Sequence, residues 1–472
     1  MCSLGGEISA NFVNPAGLGF YKTSEMVISP GLSFQHDNAR YLGMDSRGNN
    51  VTNFNLGTSG FVFGWPTETG GSMAFSIAVN RTANFNGNTY YTGQNNYSSF
   101  SEQYAEEFVN SGESIDNGIN DPSLSYGTRM ALYTYLIDTA TIGNSLQVIG
   151  MPQKVLAANG YLSQLYNRKT KGGITEVAIG LGAMSRDKWY FGFSLGIPIV
   201  SYTRELTFTE SDASGNGNNN DFSTSTYTET YTSKGAGVNL RVGGIYKPST
   251  SLRIGLAVQT PTIYTLTDNT NASMTTNTEN YAGVVSIASS ALDDAISFNA
   301  GNVKYDFASP WKFTAGLSYL LGSVEDVKKQ KGFITADVEY VTTRSPRYSS
   351  PEVDGSQIDD SYFSSVNDAI KSYCKGSLNL RAGVELKFDI LAARFGFAYY
   401  SDPYSDKNLK ADRLYLTGGL GYRNKGIFID LAYVQGFTND VNFPYRLADK
   451  TNLYASVRQT TGTILATVGF KF

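Results

Sequence analysis

The sequence predicts an all-β protein, a 14-stranded antiparallel transmembrane β-barrel, from three observations. Segments in which apolar and polar residues alternate recur along the chain, run for about 10 to 15 residues, and end on Phe472. Strands of soluble proteins average about 5 to 6 residues, whereas a tilted strand that crosses a membrane needs about 9 to 11. Segment length therefore favours a barrel over a soluble β-sandwich, whose strands also alternate.

Composition supports a barrel and excludes several other classes. Only 17% of the 472 residues are charged, yet the mean hydropathy is -0.23, because polar lumen residues dilute an apolar outer face. The sequence contains no run of about 18 apolar residues, so a helical membrane span is not expected. The net charge of -4 supplies no basic patch and argues against nucleic acid as a partner.

The alternation is clearest in the carboxyl half, where Leu378 and Leu380 share one parity and Arg381 and Glu385 the other. Tight turns also alternate with long polar loops, which is the pattern of short periplasmic turns and long external loops. We treat Pro310 as a bulge within one strand, because a break there would make the strand count odd. The fourteen predicted strands are 24–36, 52–66, 72–83, 172–185, 188–207, 226–247, 249–265, 303–321, 331–344, 375–388, 390–402, 411–424, 426–437 and 457–472.

Residues 24–472 are thus assigned to the barrel, and residues 84–171 to a long external loop with helical patterns. Within it Phe100, Tyr104 and Phe108 recur at a spacing of four, and a further helix is expected around 155–166. The apolar residues either pack on each other and plug the mouth of the barrel, or form a groove for hydrophobic ligands. The predicted groove residues are Phe100, Tyr104, Phe108, Met130, Leu132, Tyr133 and Leu136.

The amino-terminal segment carries the most informative motif. Asn14, Pro15, Ala16 and Gly17 lie just before the first strand, and this position resembles the FadL/TodX family of outer-membrane hydrophobic-compound transport proteins. The resemblance extends over the whole chain in architecture. It implies that residues 1–23 are a hatch that plugs the lumen. It also implies that ligands land on a groove of external loops and leave sideways through an opening in the wall.

The same reasoning gives a location and partners. A terminal Phe472 on the apolar parity resembles the carboxyl-terminal signal that barrel-insertion machinery reads, so we expect the cell outer membrane of a Gram-negative bacterium, with outer-membrane lipid around the barrel. No secretory signal precedes Gly5 and Gly6, and we therefore expect the hatch to be truncated at its start.

Charged residues on the inward parity are the remaining candidates for a role in the lumen. Both signs are present, so we expect most of them to pair across strands and hold the hatch, while an arginine could instead meet the carboxylate of a fatty ligand. They are Arg241, Arg253, Asp337, Arg381, Glu385, Arg394 and Arg413, together with Glu339 and Asp430.

Catalytic and metal chemistry is poorly supported. With His36 as the single histidine, in a stretch predicted to be an external loop, no catalytic triad with alternatives and no histidine-rich metal site can form, so neither enzymatic activity nor a cofactor is expected. Cys2 and Cys374 could form one disulfide, which their spacing cannot test. Gly243 and its neighbour lie in a strand and indicate close packing or a bend rather than a phosphate loop.

The leading functional hypothesis is passive uptake of small hydrophobic compounds such as long-chain fatty acids. The alternatives are a docking or shuttle partner in protein secretion, and a haemin receptor. A continuous apolar cavity with a gap in the wall near strands one to three favours transport, whereas a sealed polar lumen beneath a projecting apolar loop favours docking.

Overall fold

The computed structural model describes residues 1–68, 70–142, 145–215, 219–292, 303–322, 330–351 and 360–472. Fourteen strands pair antiparallel with their neighbours, and β1 closes the ring by pairing with β14. The predicted fourteen-stranded barrel is confirmed.

Several strands consist of two or three segments that follow one another along the barrel wall. The strands are β1 (Glu25–Ile28 and Pro30–Tyr41), β2 (Met44–Arg47, Val51–Leu56 and Ser59–Pro66), β3 (Ser72–Asn84 and Gly87–Asn95), β4 (Leu162–Ser185), β5 (Trp189–Asp212), β6 (Thr224–Tyr246), β7 (Leu252–Gln259 and Ile263–Asn277), β8 (Val303–Ala308 and Lys312–Gly322), β9 (Gln330–Val341 and Arg347–Ser349), β10 (Ser377–Phe388), β11 (Leu391–Tyr400), β12 (Arg413–Asn424), β13 (Ile427–Asn442) and β14 (Ala455–Lys471).

Helices cluster at one end of the barrel, which we call the external end; the opposite end, where tight turns join the strands, is the turn end. No helix of the described residues is long and apolar enough to cross a membrane. A two-stranded hairpin, Ile137–Ile142 with Ser145–Gly150, and a short strand on β7, Val284–Ala288, also lie at the external end. The helices are α1 (Glu102–Ser111), α2 (Ile115–Gly118), α3 (Tyr126–Tyr133), α4 (Pro152–Ala157) and α5 (Asp360–Tyr373).

The apolar parity of the strands faces outward. Leu32 and Phe34 on β1 are 48% and 42% exposed, while Ser33 and Gln35 between them are buried. On β14, Ile464 is likewise exposed on the parity that leads to Phe472. This outward apolar band is the surface that a bilayer covers.

The predicted external loop, 84–171, was too long at both ends. Gly87–Asn95 continues β3, and β4 begins at Leu162, so the predicted helix at 155–166 is shortened to Pro152–Ala157. These strand extensions pair with each other, Leu162 opposite Asn95. The sequence prediction missed them because an apolar outer face is required only where lipid covers it, whereas here the apolar side chains, such as Tyr91 and Leu162, are buried in a cluster of the protein itself.

Pro310 interrupts β8 without ending it, as predicted. The two segments of β8 pair with the two segments of β7, so both strands break at the same level. At this break the Oγ of Ser309 accepts a hydrogen bond from the nitrogen of Thr262 at 2.9 Å, and the nitrogen of Ser309 donates to the carbonyl of Thr262 at 3.0 Å. These contacts replace the ladder that a proline cannot continue.

Candidate functional site

Residues 1–24 lie inside the barrel near the turn end, and we call this segment the hatch. Two 3-10 helices, Ile8–Phe12 and Pro15–Phe20, form most of it. Leu18 is fully buried and packs in one apolar cluster with Val62 of β2. The hatch therefore occupies the lumen beside the first strands, as the fold prediction required.

Asn14 joins the hatch to the wall. Its Oδ1 accepts a hydrogen bond from the nitrogen of Ala16 at 3.1 Å and so caps the second 3-10 helix. Its Nδ2 lies 2.7 Å from the carbonyl oxygen of Cys2, and 3.3 Å from those of Gly244 on β6 and Leu256 on β7. The Asn14 side chain thus links the start of the hatch at Cys2 and the second 3-10 helix to β6 and β7. Pro15, Ala16 and Gly17 are buried beside it.

Glycines on the inner face of the wall make room for the hatch. A Cβ on Gly243 would lie 1.9 Å from the Oδ1 of Asn14, and a Cβ on Gly192 would lie 2.1 Å from the backbone of Pro15. The hatch therefore approaches these strands more closely than a side chain at either glycine would allow, and close packing was one of the two predictions for Gly243. Gly180, Gly182, Gly255 and Gly316 meet the hatch in the same way.

A buried ion pair braces the wall next to the hatch. Arg241 on β6 donates from Nη1 and Nη2 to the two carboxylate oxygens of Glu176 on β4, at 2.8 and 3.0 Å. The two side chains are 5% and 4% exposed. They meet across Gly196 on the intervening β5, where a Cβ would lie 2.0 Å from the Oε1 of Glu176. The bidentate geometry satisfies both charges away from water.

A second group of charges reaches the hatch from the opposite wall. Arg381 on β10 lies 3.8 Å from Asp337 and 3.3 Å from Glu339, both on β9. Asp337 also accepts a hydrogen bond from the backbone nitrogen of Cys2 at 2.9 Å. Arg394 bridges Glu385, at 2.6 Å, and Asp430. Most of these ion pairs join neighbouring strands, while that of Arg394 with Asp430 spans β12, so the charges are occupied by protein partners.

Two predicted lumen charges behave differently. The guanidinium of Arg253 lies over the ring of Phe20 in the hatch, 4.4 Å from its centroid, which is a cation-π contact. Arg413 is exposed and forms no ion pair within the described parts of the chain. Of all the predicted lumen charges, Arg413 is therefore the one left accessible to a ligand or to solvent.

A cavity of about 510 Å³ lies between the hatch and the wall of β11 to β14 and β1. Ile8 of the hatch, Val27 and Leu465 supply apolar surface, whereas Arg394 and Lys471 supply charge. Its volume suits a small ligand. This cavity lies on the turn-end side of the hatch and its lining is mixed, so it is not the continuous apolar cavity that was expected to favour transport.

The wall opens between β2 and β3, and we call this opening the window. Its edges are Val51–Leu56 of β2, which pairs only with β1, and residues 80–84 of β3, which pair only with β4. Below the window, Ser59–Pro66 pairs normally with β3. Across it, the Nδ2 of Asn84 donates to the Oδ1 of Asn53 at 3.1 Å.

Irregularities in both strands create the window. In β3, Ala83 pairs with Ile174 and Arg81 pairs with Thr175, so Thr82 is an extra residue, a β-bulge. A bulge bends its strand and increases the local twist, which turns β3 away from β2. Above the bulge, β3 passes inside the barrel: Thr89 donates to the lumen-facing carboxylate of Asp37 at 2.8 Å.

The window and the cavity share a boundary. β2 is interrupted at Gly57 and Thr58, directly below the window, and both residues line the cavity. Beside them, the Oδ1 of Asn55 and the Nδ2 of Asn53 are buried without a hydrogen-bond partner among the described residues. The window therefore opens beside the cavity, and its inner rim carries unsatisfied amide groups.

The predicted groove residues do not line an open groove. Phe100, Tyr104, Phe108, Met130, Leu132 and Leu136 are all buried in a single apolar cluster under the external loops, which we call the cap, and only Tyr133 is exposed, at 44%. The ring of Phe100 stacks on that of Phe208 of β5 at 4.6 Å. The open groove is thus corrected to a packed core, because Phe100, just before α1, contacts Tyr104 of α1 on one side and Phe208 of the barrel rim on the other.

Polar contacts also hold the cap in place. The hydroxyl of Tyr126 on α3 donates to Glu229 of β6 at 3.0 Å. Burial, and secondarily the nearby Glu229 carboxylate, raise the pKa of Tyr126 to about 12, so the hydroxyl remains a donor at neutral pH. Lys450 pairs with Glu102 of α1 at 2.7 Å.

The histidine and the cysteines complete the list of predicted candidates. His36 lies within β1 opposite Thr460, so its prediction as a loop residue was wrong; its neighbours are polar, but they lie in a strand. Cys2 and Cys374 are both free. No cluster of potential metal ligands occurs among the described residues.

The family resemblance implied an opening in the wall, but the sequence did not place its edges at Val51–Leu56 and residues 80–84, and it missed the bulge at Thr82. The available signal was three asparagines within seven residues, Asn80, Asn84 and Asn86, directly after an apolar alternating stretch, since amides are poor wall residues at membrane depth.

Comparison with solved structures finds the same architecture elsewhere. The toluene transporter TodX of P. putida matches with a TM-score of 0.54 at 12% identity, covering 100% of this chain and 96% of its own. A Pseudomonas aeruginosa FadL homologue matches with a TM-score of 0.56 at 10% identity, covering 100% and 95%. The chain has the FadL/TodX fold. No family profile and no curated protein matches the sequence. The resemblance drawn from the hatch motif is therefore confirmed in the fold, at an identity too low to carry function.

Proposed function

We propose that this protein is an outer-membrane channel for the passive uptake of small hydrophobic compounds. The observation that carries the proposal is the window: one stretch of the wall lacks backbone pairing between Val51–Leu56 and residues 80–84 at the level of the outward apolar band. Unpaired strand edges at this depth are costly unless they border a passage.

The geometry supports movement between the lumen and the bilayer. The cavity reaches Gly57 and Thr58 at the foot of the window, and Phe54 on the outer edge is 58% exposed toward lipid. Apolar burial at about 25 cal/mol per Å² holds a hydrophobic ligand without covalent chemistry. Partition from a site in the lumen into the membrane then requires no energy coupling.

The solved structures with this fold support the same substrate class. One is described as a toluene transporter and another as a FadL homologue. The first of these descriptions names a transporter. We extend the proposal to a Gram-negative outer membrane, with insertion directed by Phe472, whose side chain is 71% exposed at the end of β14.

Closing the window tests the proposal. Asn53→Cys with Asn84→Cys places two thiols where the amides now touch at 3.1 Å, in a Cys374→Ser background that leaves only the buried Cys2. We expect the oxidised variant to lose accumulation of radiolabelled toluene or oleate by producing cells, down to the level of cells without the protein. Reduction should restore it.

The matched control is Thr228→Cys with Ser273→Cys, a cross-strand pair whose oxygens lie 2.6 Å apart in the unbroken ladder of β6 and β7. Its oxidation should leave uptake unchanged. Full uptake with the window cross-linked would overturn the proposed route, and no uptake of either compound by the uncross-linked protein would overturn the function. The docking hypothesis would then gain support.

A further inference from the structure

A row of cationic side chains crosses the outer face of the barrel on β2, β1 and β14. In the strand register, Asn38 of β1 lies opposite Arg47 of β2 on one side and opposite Arg458 of β14 on the other. The two arginines therefore flank Asn38. Arg40 lies on the same face, two residues further along β1. Strands are about 4.8 Å apart, so the Cα atoms of Arg47 and Arg458 lie roughly 10 Å from each other.

The row lies just above the outward apolar band. Leu32 and Phe34 on β1 and Ile464 on β14 are the exposed apolar residues beneath it. A strand tilted by about 40° rises about 2.5 Å per residue along the barrel axis, which puts Asn38 roughly 10 Å beyond Phe34. At this height the barrel leaves the hydrocarbon and meets lipid headgroups.

The row is one wall of a built pocket of about 770 Å³. The other wall is the loop between β11 and β12, which contributes Lys410 and is fixed to β13 by hydrogen bonds from Asn439 to Asp412 at 3.0 and 3.2 Å. Four cations line the pocket against two carboxylates, Asp45 and Asp440. The pocket is thus positive on a chain whose net charge is -4.

Most of these cations have no acidic partner. Within the described residues, Arg47, Lys410 and Arg458 form no ion pair; Arg47 contacts the amide of Asn50 at 3.4 Å, and Arg458 lies 5.9 Å from the ring centroid of Phe437. Arg40 and Asp45 are 3.7 Å apart and both largely exposed, which is a weak pair. Their donors are therefore available to an anion.

We propose that this pocket binds the phosphate of a lipid headgroup in the external leaflet. Guanidinium groups form bidentate hydrogen bonds with phosphate oxygens, and a pocket beside exposed apolar strands holds the headgroup while the acyl chains lie on Leu32, Phe34 and Ile464. The inference uses the barrel's position in a membrane and is independent of hydrophobic uptake.

The test measures lipid binding to the whole protein in detergent by native mass spectrometry. The probes are diphosphoryl lipid A, the same lipid after removal of its phosphates, phosphatidylethanolamine, and inorganic phosphate as competitor. The variant is Arg47→Ala, Arg458→Ala and Lys410→Ala combined. We expect its affinity for diphosphoryl lipid A to fall roughly a hundredfold, since each Lys or Arg near a charged membrane surface contributes about 1 kcal/mol.

The control removes three exposed cations at the turn end, Lys22, Arg186 and Lys188, each replaced by Ala, and should leave binding unchanged. An equal loss in both variants would mean general charge attraction and would overturn the site. Equal binding of the dephosphorylated lipid would overturn phosphate recognition. Full competition by millimolar inorganic phosphate would show a free-phosphate site and overturn the lipid assignment. Gel mobility shift on heating verifies that both variants fold.

Discussion

Two adjacent parts of the barrel wall, β4 with β5 and β2 with β3, differ sharply in how their strands pair. β4 and β5 pair without interruption from Leu162 and Asp212 to Ser185 and Trp189, and the buried Arg241 to Glu176 pair braces their inner face. The backbones of β2 and β3 pair through Ser59–Pro66, and across the window one hydrogen bond of the described residues, between Asn84 and Asn53, joins the two strands. The barrel therefore keeps continuous pairing in β4 and β5, which contact the hatch, and leaves the wall open between β2 and β3.

The largest effect is expected from breaking the Arg241 to Glu176 brace. Arg241→Ala leaves the buried Glu176 carboxylate without its cationic partner, although Asn239 still donates to it at 3.1 Å, and such a loss costs about 3 to 5 kcal/mol. The free energy of unfolding, measured by urea titration in lipid vesicles, should fall by that amount. Arg413→Ala is the control, because Arg413 is exposed and lacks an ion pair in the described structure. A similar loss in both variants would contradict the assigned brace.

A larger side chain at a wall glycine that faces the hatch should have the next largest effect. In Gly192→Val the new side chain meets the backbone of Pro15, 2.1 Å from the expected Cβ, and overpacking of this kind costs about 1 to 3 kcal/mol. We expect a lower melting temperature and a higher ion conductance in planar bilayers, because the hatch must move. Gly418→Ala should change neither, since no atom lies within 4 Å of its Cβ. An unchanged conductance in Gly192→Val would show that the hatch does not seal the lumen here.

Opening the window further should have the smallest effect on stability. Asn84→Ala removes the hydrogen bond to Asn53, a partly exposed contact worth about 0.5 to 1.5 kcal/mol at most. Uptake of labelled toluene should stay the same or rise, while the urea midpoint moves little. If Asn84→Ala abolished uptake without unfolding the protein, the amide would have to bind the ligand rather than merely bridge the window.

Sequence alone predicted the parts of this fold that depend on lipid. Leu378, Leu380 and Leu386 had to alternate with polar residues because one face meets hydrocarbon and the other does not, and all three are exposed on the outer face. The strand extensions at Gly87–Asn95 and at the start of β4 escaped prediction, because above the membrane no lipid requires an apolar outer face. The aromatic spacing of Phe100, Tyr104 and Phe108 indicated an apolar face but could not show what covers it.

What the sequence determined is therefore the barrel and its strand number, which follow from periodicity and parity, while the hatch was implied by the family resemblance of its motif. Only the tertiary structure decided where the wall opens and where the hatch seats. Both depend on contacts between distant residues: Asn14 with Gly243 and Leu256, and Asn53 with Asn84. A β-bulge at Thr82 leaves little trace in residue type, yet it redirects a whole strand, because one extra residue changes both the register and the twist.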